Sequence, residues 1–213
     1  MSYIIFLTYM VKIKLCGFTR EEDIKKALSL RVDYLGIILY SKSPRYVEMG
    51  RVVKLLEAVK GPKSVAVMVN PTLEEAREAL EMGFDLIQLH GEERLDLAKE
   101  IGIERVIKAF RSCPGLKVQE EWKEAHAVLL DACSESYGGS GKRSDWGTAR
   151  ELVERGFRVI LAGGLNSESV REAIRTVKPF GVDVSSGIEI NPGIKDHKKM
   201  EEFVHAVKNA LGD

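Results

Sequence analysis

No zinc-spaced cysteines, no paired-histidine motif and no surplus charge of either sign occur in this sequence, and each absence argues against a class of function. Its three cysteines, Cys16, Cys113 and Cys133, are an odd number without zinc-ligand spacing, and its four histidines are scattered. Neither a disulfide framework nor a structural metal is therefore expected, and the cysteine usage points to a reducing, cytoplasmic setting. Lys plus Arg and Asp plus Glu both number 32. A net charge of zero gives no electrostatic reason to expect nucleic acid or an anionic membrane as partner, so a small molecule is the default. No apolar run is long enough to span a bilayer: residues 1–10 are apolar but short, with no basic flank and no small-residue cleavage site. Residues 1–9 read as an N-terminal extension or as sequence upstream of a start at Met10. No Pro, Gly or Ser-rich linker interrupts residues 10–213, which are expected to form one domain. Asparagine and glutamine are scarce and 30% of residues are charged, a balance that resembles proteins from hot habitats and that a solvated helical surface explains equally well.

What is present is an alternation. Short apolar runs, often β-branched, at 11–16, 34–39, 64–69, 85–89, 105–110, 127–131, 158–162 and 181–184 read as eight strands. Charged segments of helical period succeed them near 20–30, 47–60, 71–83, 92–101, 145–155, 167–176 and 197–211. The stretch 116–125, after Pro114-Gly115, reads as a short or irregular connection. Thr72 is placed to cap its helix with Glu75 three residues on, and Leu73, Ala76 and Leu80 share a face. Strands answered by helices in this way call for parallel pairing and right-handed crossovers, and eight such units close into a single α/β domain, a (β/α)₈ TIM barrel. The alternative is an open doubly wound sheet, which uses a glycine-rich turn after the first strand. No Gly-x-Gly-x-x-Gly occurs there.

In such a barrel the chemistry sits at the C-terminal ends of the strands, and here those ends are polar. Strand one ends in Cys16-Gly17, strand two leads to Ser43-Pro44-Arg45, and strand four ends in Gln88-Leu89-His90-Gly91. Strand six ends at Asp131, strand seven at Gly163-Gly164, and strand eight at Asp183-Val184-Ser185-Ser186-Gly187. A free cysteine taken alone is most often a small buried hydrophobe, so Cys16 is either core filler or a base. Side chains two apart on a strand share a face, which turns Lys14 the same way as Cys16 and Asp183 the same way as Ser185. An ammonium beside a thiol favours the thiolate, so Lys14 is a candidate for tuning Cys16, with Asp183 balancing that buried charge. Asp131 is either a loop cap or a proton donor whose pKa is raised by partial burial. Arg45 either clamps a carboxylate of a ligand or holds its own loop against a neighbouring acid. Gly163, Gly164, Ser185 and Ser186 occupy the two strand ends where these barrels commonly bind phosphate. Cys133, two residues past Asp131, reads as a loop or packing cysteine, with an approach to Cys16 at the rim as the alternative.

Together these segments, with Leu161-Ala162-Gly163-Gly164-Leu165, Gly138-Gly139-Ser140-Gly141, Ile188-Glu189 and Pro192-Gly193-Ile194-Lys195-Asp196, resemble the phosphoribosylanthranilate isomerase family of tryptophan biosynthesis. The likeness covers nearly the whole chain from Met10. It implies a cofactor-free Amadori rearrangement, an aldose–ketose isomerisation of N-(5-phosphoribosyl)anthranilate to 1-(o-carboxyphenylamino)-1-deoxyribulose 5-phosphate. By the resemblance, Asp131 is the general acid that opens the furanose ring and Cys16 the general base that takes the C2 proton. Arg45 and Asp183 orient the anthranilate, Gly163, Gly164, Ser185 and Ser186 hold the phosphate, and Lys14 and His90 complete the substrate site; His90 reads equally as a packing histidine. Gly139-Ser140-Gly141 is expected to close over the sugar. The implied assembly is a monomer or a homodimer. Two departures stand out: Ser140 replaces a common threonine, and Ser144 stands where an aromatic residue usually precedes Asp145-Trp146, which is expected to loosen the following helix. Rival phosphate-binding barrels would need a lysine and glutamate catalytic set (indoleglycerol-phosphate synthase) or paired His and Asp metal ligands (ribulose-phosphate epimerase), and neither pattern is visible. A non-catalytic sugar-phosphate binder would not need both Cys16 and Asp131.

Overall fold

The computed structural model of the protein describes residues 10–133 and 143–211. Alternation of inward and outward side chains along short β-branched runs produces eight strands: β1 (Lys12–Cys16), β2 (Tyr34–Ile38), β3 (Lys63–Met68), β4 (Leu86–Leu89), β5 (Val106–Arg111), β6 (Ala127–Asp131), β7 (Val159–Leu161) and β8 (Gly181–Val184). All pair in parallel, in chain order, around a closed barrel. β8 closes it on β1, with Lys12 opposite Gly181 and Lys14 opposite Asp183. Every expected strand is present with its ends shifted by at most one residue. The extension at 1–9 and the Gly139-Ser140-Gly141 segment lie outside the described residues.

Around the barrel run α1 (Glu21–Ser29), α2 (Met49–Ala58), α3 (Leu73–Glu81), α4 (Leu95–Ile101), α5 (Trp146–Glu154), α6 (Val170–Val177) and α7 (His197–Lys208). Two apolar shells result. Tyr34, Val65, Val67, Leu86, Ile107, Leu129 and Ile160 fill the barrel with Cys16 at its upper edge, while Ile13, Leu15, Leu35, Ile37 and their equivalents face the helices. The capping box at α3 forms as the spacing requires: Thr72 Oγ1 accepts from Glu75 N, and Glu75 Oε2 accepts from Thr72 N at 2.7 Å. The weak segment 116–125 is one 3₁₀ turn, Glu120–Glu124, pinned by buried Trp122 edge-on to Phe110. After β8 a short antiparallel hairpin, β9 (Glu189–Asn191) and β10 (Ile194–Lys195), folds back beside the end of β1. There Thr19 Oγ1 donates to Gly193 O at 2.6 Å.

Three expectations need correction. α4 begins at Leu95 rather than 92, because the Glu93 carboxylate turns inward to accept from Asn70 N, Gly91 N and Lys108 Nζ. Ser144 does not loosen α5: it is buried, and its hydroxyl donates to Ala162 O at 2.6 Å, tying the helix start to the end of β7. Cys113 and Cys133 form a disulfide. β5 and β6 pair with Arg111 opposite Asp131, so the residues two beyond each strand end emerge side by side, with a Cα separation of 4.7 Å. Linear spacing carries no trace of that adjacency, and inferring a reducing setting from the cysteine count loses its premise. Cys133 is thereby committed to Cys113 and not to Cys16, which is the free thiol of the three. Among the described residues no helix is long and apolar enough to cross a membrane.

Candidate active site

Cys16 ends β1 on the barrel's inward face, 5% exposed. Its neighbour across the sheet is Gly36, and a Cβ there would come within 2.6 Å of the sulfur, so glycine makes the room that the thiol occupies. One step of side-chain parity below lies Lys14, 1% exposed, its ammonium 2.8 Å from Asp183 Oδ1 on the adjoining strand. Burial works against the charge on Lys14, but Asp183 and Cys16 together outweigh it and hold the ammonium above its ordinary pKa. The Cys16 thiol is pushed up instead. Burial is the largest cause, opposed by Lys14 and Lys195 and reinforced by Asp183. Lys14, the candidate for tuning the thiol, acts on it in the direction of the thiolate, and desolvation outweighs it.

Arg45 takes the second of its two readings. Its guanidinium is forked onto the buried Glu189 carboxylate, Nε at 2.9 Å from Oε1 and Nη2 at 2.7 Å from Oε2. Its stem lies against Gly17, whose added Cβ would meet Arg45 Cδ at 2.7 Å and whose φ of +83° suits glycine. Glu189 also accepts from Lys195 Nζ at 2.9 Å, and Lys195 donates to the backbone oxygen of Cys16. Arg45 and Lys195 overcome the burial of Glu189 and keep its pKa low.

Asp131 ends β6 on the inward face, 8% exposed, with Oδ1 accepting from Ala132 N at 2.8 Å. Its other oxygen faces His90 Nε2 at 3.4 Å, and His90 Nδ1 contacts Gln88 Nε2 at 2.8 Å. His90 Nε2 is buried and has no hydrogen-bond partner among the described residues, so the imidazole faces the carboxylate without bonding it. Ser112 steadies the same strand end, donating its backbone N–H and its hydroxyl to Asp131 O while accepting from Asp145 N. Gly163 closes against this group: a Cβ there would sit 2.7 Å from Ala132 N and 3.1 Å from Asp131 Oδ1.

Gly163 and Gly164 have φ of +80° and +63°, a left-handed conformation that glycine adopts without a side-chain penalty and that backbone anion cradles use. Beside them, the 3₁₀ turn Ser186–Ile188 starts immediately after Ser185. Ser185 Oγ is buried with no hydrogen-bond partner among the described residues, and such an unsatisfied hydroxyl is costly unless a ligand completes it. Gly187 is required by contact, since a Cβ would fall 2.1 Å from Leu165 O. Among the described residues no three His, Cys, Asp or Glu side chains converge as metal ligands. The chemistry available is a thiol, a carboxyl group with an imidazole beside it, a set of buried cations and an anion cradle.

The structure places every expected site residue at the C-terminal mouth or on its wall. Lys14, Arg45 and Asp183 are already paired within the protein, which sequence reasoning had assigned partly to the ligand. Glu189, Lys195 and Gln88 were missed as functional side chains, although all three lie in motifs that carry the family resemblance. What was absent was any sign that Glu189 and Lys195 are buried.

A family model described as N-(5'phosphoribosyl)anthranilate (PRA) isomerase matches residues 13–206. The N-(5'-phosphoribosyl)anthranilate isomerase of Aquifex aeolicus is 48% identical over 203 residues, 94% of this chain and 100% of that protein. A crystal structure of monomers of the dimeric phosphoribosylanthranilate isomerase of Thermotoga maritima is 34% identical, with a TM-score of 0.80 over 94% of this chain and 100% of that one. A phosphoribosylanthranilate isomerase in complex with reduced 1-(o-carboxyphenylamino)-1-deoxyribulose 5-phosphate is 33% identical, with a TM-score of 0.80 and the same coverage.

Proposed function

Because the chain belongs to the phosphoribosylanthranilate isomerase family, we propose that Cys16 and Asp131 divide between them the proton transfers of its Amadori rearrangement. The protein is an isomerase of tryptophan biosynthesis, acting on N-(5'-phosphoribosyl)anthranilate. Asp131, as the carboxylic acid, gives its proton to the furanose ring oxygen while the C1–O bond breaks and the anilino nitrogen forms an iminium with C1. Cys16, as the thiolate, takes the proton from C2, and the freed electron pair forms the C1–C2 double bond of an enolamine. Ketonisation puts a proton on C1 and removes one from O2. Return of the thiol proton to the Asp131 carboxylate resets the pair.

One observation carries this division: the single free thiol and a carboxyl group stand on the inward faces of β1 and β6, at the same mouth, in unlike surroundings. Lys14 and Lys195 favour the Cys16 thiolate against burial and Asp183, while Asp131 stands beside His90 and the Ala132 N–H, and a division into base and acid needs surroundings that differ in this way. His90 Nε2, 3.4 Å from Asp131 and without a hydrogen-bond partner among the described residues, is placed to donate to the carboxylate or to a substrate oxygen. The phosphate is assigned to Gly163, Gly164, Ser185 and Ser186, where the unpartnered Ser185 hydroxyl supports a ligand oxygen. Arg45 and Asp183 frame the anthranilate end from their positions in the paired network.

The test follows loss of the fluorescent anthranilate-bearing substrate with a chelator present. Cys16→Ala and Asp131→Ala are each expected to lower kcat by about 10²–10⁴ or more, while affinity for a reduced product analogue stays within a few-fold. Near-normal turnover in either variant would sink the assignment.

A further inference from the structure

The charges around Cys16 do not cancel. Lys14 and Asp183 neutralise one another across β1 and β8, but Glu189 is a single carboxylate serving two buried cations, Arg45 from the loop after β2 and Lys195 from β10. The next layer out supplies no anion to cancel this: Asp23 on α1, which accepts from Lys195 N, is forked by Arg20 and touched by His197, and the part-buried Lys199 ammonium donates to Glu189 O. One positive charge therefore remains in the wall behind the thiol. Lys195 is its natural seat. Its side chain is fully buried, and its Nζ faces three acceptors, Cys16 O, Glu189 Oε1 at 2.9 Å and Ser185 O at 3.5 Å. Burial lowers its pKa against the pull of Glu189 and Cys16, and geometry favours the ammonium: three acceptors match its three N–H donors and leave no donor for the lone pair of a neutral amine.

We propose that Lys195 is a positioning residue for the thiol, an ammonium locked to the Cys16 backbone whose charge, unmet because Glu189 is shared with Arg45, is neutralised when Cys16 ionises. This rests on the reading of Cys16 as the base and explains how a thiol so deeply buried is ionised at all. An isolated anion would be expelled by desolvation, whereas here the protonated thiol leaves the cluster with a surplus cation and the thiolate leaves it neutral. The same surplus gives an incoming substrate anion an electrostatic target, and Lys14 alone could not supply it, being matched by Asp183. Lys195 also holds the strand end in place, since its bond to Cys16 O fixes the last peptide of β1.

The inference is tested by titrating the Cys16 thiolate from its ultraviolet absorbance, as a difference against Cys16→Ser, in the wild-type protein and three variants. By the charge count Lys195→Met leaves the wall neutral, Glu189→Gln leaves it two positive, and the double variant restores one. The thiol pKa is expected to rise by at least about one unit in Lys195→Met, to fall by a similar amount in Glu189→Gln, and to return near the wild-type value in the double variant. A purely structural role would move both single variants the same way. Shifts of the same sign, or no shift in Lys195→Met, overturn the proposal. Should Lys195→Met not fold, the isosteric Glu189→Gln decides alone, a downward shift supporting it and any other result overturning it. The readout needs no turnover, so the two ideas fail separately: an active Cys16→Ala removes the base, while a wrong titration order beside an inactive Cys16→Ala removes only the role of Lys195.

Discussion

His126 stands at the opposite end of the barrel from the site, just ahead of β6, with Nε2 3.0 Å from the Tyr34 hydroxyl. Burial, aided by Lys63 and Arg158, pushes its pKa down to about 4. An unfolded chain titrates this group near 6.5, so between those values the unfolded state binds a proton that the native state refuses. The stability due to neutral His126 is complete above about pH 6.5 and is lost as pH falls toward 4, on the order of 2 kcal/mol for a half-buried group. Urea midpoints measured from about pH 7 down to about pH 4.5 are expected to fall less steeply in His126→Gln than in the wild-type protein; equal slopes would show that His126 does not titrate in this range. The residue scale also shows what linear order conveys. The inward pair Lys14 and Cys16 was readable from a period of two. Lys195 was not, because its bond to Cys16 O joins positions 179 residues apart.

At the scale of elements, α3 and α4 differ in how they begin. α3 is started by its own Thr72 and Glu75, a local device that any reader of the sequence can place. α4 has no side-chain cap at its N-cap Arg94, and Glu93 just before it bonds other elements, Asn70 N after β3, Gly91 N after β4 and the Lys108 ammonium on β5. Lys108 is 3% exposed, and burial lowers its pKa against the pull of Glu93. This pair fastens three strand ends together directly beside His90. Glu93→Ala, which strands the Lys108 charge in the interior, is expected to cost about 3–5 kcal/mol in urea unfolding. The double replacement Glu93→Leu with Lys108→Met should recover most of that by removing both charges. A loss of under about 1 kcal/mol in the single variant would show that the ammonium finds water instead.

For the whole molecule, the barrel closes by hydrogen bonds between its first and last strands, and the Cys113–Cys133 disulfide adds a covalent tie between the exits of β5 and β6, two residues past Asp131. It closes a loop of about 20 residues, for which the chain-entropy relation gives roughly 3 kcal/mol of stabilisation. Reduction, or Cys113→Ser with Cys133→Ser, is therefore expected to lower the urea-derived stability by about that amount; an unchanged midpoint would mean that the bond does not form in solution. The sequence by itself determined the eight strands, the parallel closed sheet, the polar ring at its mouth and the family, because all of these are written in local periodicity and in short motifs. Only the tertiary structure decided that Arg45 comes to the site already paired with Glu189, that two cysteines join, and that the thiol is surrounded by an unequal set of charges. Those facts depend on which distant side chains share a buried volume from which water is excluded, and there desolvation sets the sign of the outcome for Cys16.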